Sequence, residues 1–244
     1  MGSRSRVAFM AIDDLPLPVV NLLNVIGVPW PYIDEDTLHE FAAFTRDFAT
    51  AVQTTHDDAT QAVKGIAAAY QGSATDAMAS GWAKLSVRHV DEILTACHVL
   101  ADALDVGAGY VMAQKAEAIV ILIDMAAALV ADQAAAIATA GLAEAAVPLI
   151  IAGAEKIVDS LTADLEQYII SKVIEAAAKP LLGKIEDALN GLDWSKSDAE
   201  VDEPGGFSID PEAVALQVAA LRQQAVTIGQ HGTIFATKIR ALDF

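Results

Sequence analysis

The chain has 244 residues, of which 33 are Asp or Glu and 15 are Lys or Arg, so its formal net charge is −18. This acidity excludes a general nucleic-acid-binding protein and docking on anionic lipid, because both need a basic surface. The single cysteine excludes a disulfide framework and a zinc site built from several cysteines. The alanine-rich, aromatic-poor composition predicts an all-α protein with closely packed helices.

The N-terminal region, up to residue 35, is punctuated by prolines. Arg4 and Arg6 precede an apolar stretch, which Asp13 and Asp14 interrupt before any small-residue cleavage site, so no cleavable signal peptide is predicted. We expect residues 1–9 to be a flexible extension. Residues 10–35 should form an extended or short-helical segment that packs on a helical bundle.

Two long amphipathic helices are predicted over residues 36–105. Apolar residues from Leu38 to Tyr70 recur in steps of three, four or seven, and a second stripe continues to Leu104. Tyr70, Gln71 and Gly72 separate the two stripes and predict a tight turn. The two helices should therefore form an antiparallel hairpin, with Trp82 buried in it.

Residues 106–190 are expected to complete the bundle. Gly107 and Gly109 predict a break, after which residues 110–140 form a helix that is apolar almost all round. Such a helix is either central or covered by a partner. We expect a turn or kink between Gly141 and Pro148. A fourth, amphipathic helix should then run to about residue 189, kinked at Pro180.

The last part of the chain combines an acidic linker, residues 191–208, with a heptad-patterned helix, residues 209–244. Asp210 supplies an N-cap and Pro211 the first helical position. The helix has no local mate in the sequence, so it must fold back, dimerise or meet another molecule. The interface or core candidates of the whole chain are Trp30, Trp82, Tyr110, Ile119, Ile123, Leu221, Ile228, Phe235 and Ile239.

No pattern in the sequence predicts an enzyme, a metal site or a cofactor. His89 and Cys97 lie on one helical stripe two turns apart, which is more typical of a core histidine and an inert thiol. His56, Asp57 and Asp58 fit a solvated helical face better than an acid/base or metal cluster. No strand, phosphate loop or nucleophile motif is evident.

The arrangement of a helix, a Tyr70-Gln71-Gly72 turn and a second helix resembles the WXG-type proteins of type VII (ESX) secretion, with tyrosine in the usual place of tryptophan. Longer phrases are similar to the WXG-like N-terminal domain of actinobacterial polymorphic toxins, a group that includes the mycobacterial outer-membrane channel protein with a C-terminal necrotizing toxin. They begin at residues 24, 55, 141, 166 and 207 and read NVIGVPWP, THDDAT, GLAEAA, EQYII and FSIDPE.

The resemblance implies an elongated bundle built on a WXG-like hairpin, and a non-enzymatic module that targets an effector or toxin for secretion. The implied partners are a small WXG-type helical protein or a second copy, together with the type VII secretion ATPase. It also implies a cytoplasmic protein that is exported without a cleavable signal peptide. The family's export signal, Tyr-x-x-x-Asp/Glu, corresponds here to Tyr110 and Gln114, where glutamine replaces the acid; Tyr32 to Asp36 fits the pattern but precedes the hairpin.

An alternative function is a channel or pore-forming domain. The region of residues 106–158 is the most apolar of the chain, but charges such as Lys115 and Asp124 recur in it. A permanently inserted transmembrane helix is therefore not expected. A pore that forms after rearrangement predicts leakage of liposomes that is stronger at low pH.

Overall fold

The computed structural model describes residues 15–31, 33–138, 147–191 and 208–242. The fold is all-α, as predicted from composition and periodicity. The helices are α1 (Leu17–Ile26), α2 (Glu35–Ala69), α3 (Ser73–Ala138), α4 (Val147–Tyr168), a π-helical segment (Ile169–Ala178), α5 (Lys179–Gly191) and α6 (Pro211–Arg240). Two strands of two residues each, β1 (Tyr70–Gln71) and β2 (Ser208–Ile209), pair antiparallel. No strand was predicted here, and the pairing places Ser208 in a strand and not in the linker.

Helices α2 and α3 run antiparallel, as two contacts far apart along them show. The Arg46 guanidinium lies 2.8 Å from Asp102, and the Trp82 indole donates a 3.0 Å hydrogen bond to Thr60. The turn at Tyr70–Gly72 is closed by the Thr75 hydroxyl, which bonds to the carbonyl oxygens of Tyr70 and Gly72 at 2.8 and 2.7 Å. This bond pattern stabilises the start of α3.

The break predicted at Gly107 and Gly109 is wrong, because α3 continues without interruption from Ser73 to Ala138. The boundary expected between residues 105 and 106 therefore lies inside a helix. A glycine costs a helix only about 1 kcal/mol relative to alanine, which tertiary packing readily offsets. Here Ala108 and Val111 are fully buried around the glycines. A Cβ on Gly107 would lie 3.5 Å from the Val173 side chain, so the glycine sits where α3 meets its neighbours.

The described residues fall into two compact units. The first unit contains the chain up to Glu40 and residues 104–173. Its core joins α1, α3 and α4 through buried side chains, and the proline-rich segment contributes α1 to it. Gly27 ends α1 with a φ of +72°, a conformation that suits a residue without a Cβ. The buried core residues are Val19, Leu22, Leu23, Leu122, Ala126, Leu129, Ala154 and Val158.

The second unit contains residues 41–103 and 174–243. In it α6 lies along α2, so of the three alternatives predicted for the last helix the chain shows the first, folding back. The Phe235 ring stacks on Phe48 with centroids 4.7 Å apart. Asp210 caps α6 as predicted, since its carboxylate accepts bonds from the backbone N–H groups of Glu212 and Ala213.

Several expectations fall on residues outside the described ranges. These are the flexible extension of residues 1–9, the turn at Gly141 and residues 192–207 of the acidic linker. Pro148 occupies the second position of α4, where a proline is compatible with a helix. Pro180, where a kink was predicted, is the second residue of α5, and the π-helical segment ends two positions before it at Ala178.

Candidate partner-binding surface

One face of α3 in the first unit is apolar and exposed for about eight turns. Its residues recur in alternating steps of three and four, which is the spacing of a coiled-coil seam. Three valines on it are 63%, 60% and 66% exposed, at positions 106, 120 and 130. We call this face the apolar seam; it consists of Val106, Gly109, Ala113, Ala116, Val120, Ile123, Ala127, Val130 and Ala134, all exposed.

The opposite face of α3 is buried in the first unit and determines which residues remain exposed. It contains apolar side chains and one lysine: Leu104, Ala108, Val111, Lys115, Ala118, Leu122, Ala126 and Leu129. Both faces of this helix are therefore apolar, but only one of them has been covered. The sequence could not distinguish them, because apolar residues surround the helix almost completely.

The apolar seam is long enough to bind a helix and has acidic residues along one side. Its 28 residue steps correspond to about 42 Å of helix, at 1.5 Å per residue. Small residues at Gly109, Ala113 and Ala116 allow a second helix to approach closely. Exposed Glu117 and Asp124, one heptad apart, provide a negative edge. A contiguous, exposed apolar strip of this length is typical of an interaction site.

A buried ion pair lies in the same unit as the apolar seam. Lys115 is fully buried and its Nζ lies 3.1 Å from a carboxylate oxygen of Glu35, whose side chain is 2% exposed. No pattern in the sequence predicted this pair. The signal that could have found it is Lys115 itself, a lone basic residue within an apolar stretch, which must be paired if it is buried.

The candidate residues on the predicted apolar helix lie in different environments. Ile123 lies in the apolar seam, and Ile119 is half-buried at its edge. Tyr110 instead stacks on Tyr168, with centroids 3.9 Å apart and planes at 9°. Gln114, the second residue of the proposed export signal, is half-buried on the same helix. The Tyr110–Gln114 pair therefore lies within α3 and not in a segment that follows a finished hairpin.

The two tryptophans among the candidates belong to different units. Trp30 packs against the core of the first unit, and its buried indole nitrogen has no hydrogen-bond partner among the described residues. Trp82 is only half-buried in the second unit, although it was predicted to be buried. Its indole bonds to Thr60 and its ring stacks on His56 at 5.8 Å, so it covers the surface of α2 near the turn.

None of the candidates on α6 is buried. Leu221, Phe235 and Ile239 are half-buried, and Ile228 is exposed. Phe235 alone makes a ring contact, with Phe48 of α2. Tyr70, Gln71 and Gly72 lie between α2 and α3, where Tyr70 and Gln71 form β1 against β2.

The described residues contain no group of three or more His, Cys, Asp or Glu side chains that could hold a metal. His39 instead pairs with Asp105 at 2.7 Å on an exposed surface. Burial raises the pKa of the Cys97 thiol to about 11, which disfavours its reactive thiolate. In the described part of the chain, no helix has the length and apolar character needed to cross a membrane.

Comparison with protein families assigns most of this architecture. The model of the WXG100 like domain matches residues 14–154. The chain belongs to this family. The matched WXG100-like domain spans α1, α2, the Tyr70–Gly72 turn, α3 and the start of α4, so it includes the whole apolar seam and the Glu35–Lys115 pair. The π-helical segment, α5 and α6 follow the WXG100-like domain. Comparison with curated proteins and with solved structures gives no match.

Proposed function

We propose that this protein is a non-enzymatic module of type VII secretion, which binds a helical partner through the apolar seam of α3 and is exported with it. The family supports a type VII secretion-related helical module, and its domains generally self-associate or pair with other helical proteins. The observation that carries the proposal is the seam itself, because it presents a coiled-coil spacing that no described part of the chain covers.

The proposal extends to the kind of effector that the module serves. The resemblance to the N-terminal domain of actinobacterial polymorphic toxins supports a module that targets a toxin for export. We infer that the partner provides the acidic export signal, since Gln114 replaces the acid and Tyr110 is engaged with Tyr168. Recognition by the secretion ATPase would then require the complex and not the single chain.

An export assay with matched variants tests this function. The tagged chain is expressed in an actinobacterial host with the secretion ATPase intact or inactivated, and the culture filtrates are compared. We expect ATPase-dependent export of the unmodified chain. Val120→Asp should reduce export at least tenfold, because a charge at the centre of a packed helical interface must be desolvated.

The control variant is Val226→Asp on α6, where the valine is 55% exposed and lies outside the apolar seam. It should be exported like the unmodified chain. Equal export of both variants would contradict the role of the seam, and ATPase-independent export of the unmodified chain would contradict the function. Equal melting temperatures of the two variants ensure that folding does not explain the difference.

The second candidate function is membrane insertion of the apolar helices. It is supported by the same seam, which is apolar along about 42 Å of helix and is flanked by Glu117 and Asp124. This candidate predicts release of a dye from liposomes that increases as the pH falls from 7.5 to 5. Intact liposomes across this range would contradict it.

A further inference from the structure

We propose that α6 is a displaceable helix, which occupies a second helix-binding site on α2 until a helix of another protein replaces it. The site accepts an amphipathic helix with an aromatic residue followed three positions later by Lys or Arg. This inference goes beyond the proposed function, because it concerns the second unit and needs neither the apolar seam nor an export system.

The contacts of α6 with α2 define what the site recognises. Phe235 stacks on Phe48 with an interplanar angle of 21°. One turn later, the Lys238 ammonium lies 4.5 Å from the centroid of the Phe44 ring and 3.5 Å from a carboxylate oxygen of Asp47. An aromatic ring and a cation at i and i+3 therefore meet two rings and an acid on α2.

The attachment of α6 is weak for a helix of its length. None of its thirty residues, all of which the structure describes, is buried. The Lys238–Asp47 pair is exposed on both sides, and exposed ion pairs contribute little to stability. Two turns before Lys238, His231 shares a 3.1 Å hydrogen bond with Thr55. Helices that open most easily are those with few buried apolar contacts.

The site is also incompletely filled by α6. A cavity of about 130 Å³ remains between the two helices. Gaps of this kind forfeit the dispersion contacts that a close-packed interface makes. A helix with bulkier side chains facing α2 would therefore bind better than the resident one. The cavity is lined by Phe44, Asp47, Phe48, Ala51, His231, Ile234, Phe235 and Lys238.

The charge of α6 indicates a further property of the replacing helix. Between Pro211 and Arg240 the sequence has three basic residues, Arg222, Lys238 and Arg240, and one acid, Glu212, in a chain of net charge −18. A basic helix is attracted to such a chain, and electrostatic attraction accelerates association. The replacing helix should therefore also be basic.

A short tether keeps α6 close to its site. The backbone N–H of Asp210 donates a 2.8 Å bond to the carbonyl of Ala69, and Ser208–Ile209 pairs with Tyr70–Gln71. Tethering produces a millimolar effective concentration, which makes a weak helix contact persist. An external helix must overcome this concentration, so weakening α6 in the chain should allow an identical free helix to bind.

The experiment measures the binding of a fluorescent peptide, residues 208–242, to four forms of the full chain. We expect the Phe235→Ala and Lys238→Glu chains to bind the peptide at least tenfold more tightly than the unmodified chain. A peptide that itself carries Phe235→Ala should bind each chain at least tenfold more weakly. Thr237→Ala in the chain, an exposed position on α6, serves as the control and should bind like the unmodified chain.

Hydrogen exchange provides the second measurement. In the unmodified chain the amides of α6 should exchange at least tenfold faster than those of α2 and α3, and Phe235→Ala should accelerate α6 alone. Equal protection of α6 and α2, or equal peptide affinity for all chains, would overturn the proposal. Dimers of the chain that form by exchange of α6 would also overturn it, because the replacing helix would then come from a second copy and not from another protein. These results are independent of export, so either proposal can fail while the other stands.

Discussion

The two faces of α3 in the first unit have similar composition and opposite environments. One face holds Leu104, Val111 and Leu122 in the core, whereas the other exposes Val106, Val120 and Val130. Apolar character alone therefore does not determine burial in this helix. The difference arises from the neighbouring helices, which cover only one face, and it leaves the other as an available surface.

The largest effect is expected at the charge within the buried face. Lys115→Ala removes the counter-ion of buried Glu35 and should lower the free energy of unfolding by about 3–5 kcal/mol, as for other broken buried pairs. Chemical denaturation measures this value. The double variant Glu35→Gln/Lys115→Met keeps the volume without the charges and should recover most of the loss. A loss below about 1 kcal/mol in the single variant would mean that the pair is not buried.

A matched pair of truncations compares the two faces directly. Leu122→Ala creates a cavity in the core and should cost about 2–5 kcal/mol. Val120→Ala, two residues away in the apolar seam, should change the free energy of unfolding by no more than about 0.5 kcal/mol. Comparable losses in the two variants would show that the seam is covered in solution, for example by self-association.

Thiol reactivity compares the faces without removing a side chain from either. Cys97 lies on the buried side of α3 and its pKa is raised to about 11, so at pH 8 only about one thiol in a thousand is ionised. A cysteine introduced in the apolar seam by Ala113→Cys should react at least a hundredfold faster with a chromogenic disulfide. Equal rates in the folded protein would contradict the burial of Cys97, and unfolding in denaturant should abolish the difference.

The smallest effect is expected at a glycine of the apolar seam. An added Cβ at Gly109 meets no atom within 4 Å, so Gly109→Ala should stabilise α3 by about 0.5–1 kcal/mol through its helix propensity. Denaturant unfolding would detect this gain. Destabilisation would indicate a contact at the seam that the monomer lacks, and it would mark Gly109 as a point of close approach to a partner helix.

The sequence predicted the helices and the turn well, because both depend on local patterns. The stripes from Leu38 to Leu104 and the Tyr70–Gly72 turn are periodic or conformational signals, and Asp210 with Pro211 fixes the start of α6. The break at Gly107 and Gly109 was wrong because local helix propensity is a weak preference that packing around Ala108 overrides. Local signals therefore located the elements but not their continuity.

The candidate surface was predicted only in part, since it depends on which helices become neighbours. Ile123, one of the interface or core candidates, is exposed in the apolar seam, whereas Tyr110 on the same helix stacks on Tyr168. The Glu35–Lys115 contact joins residues 80 positions apart, and no spacing rule predicts such a pair. Likewise, the heptad of α6 indicated a mate but could not identify it as α2.

The buried ion pair also affects the register in which the helices of the first unit pack. Neighbouring helices faced with alanine and leucine can slide by one turn, about 5.4 Å, with little loss of apolar contact. Such a shift would separate Lys115 from Glu35 while leaving both charges away from water, at a cost of several kcal/mol. The 3.1 Å contact therefore favours the register that keeps Lys115 beside Glu35 over one shifted by a helical turn.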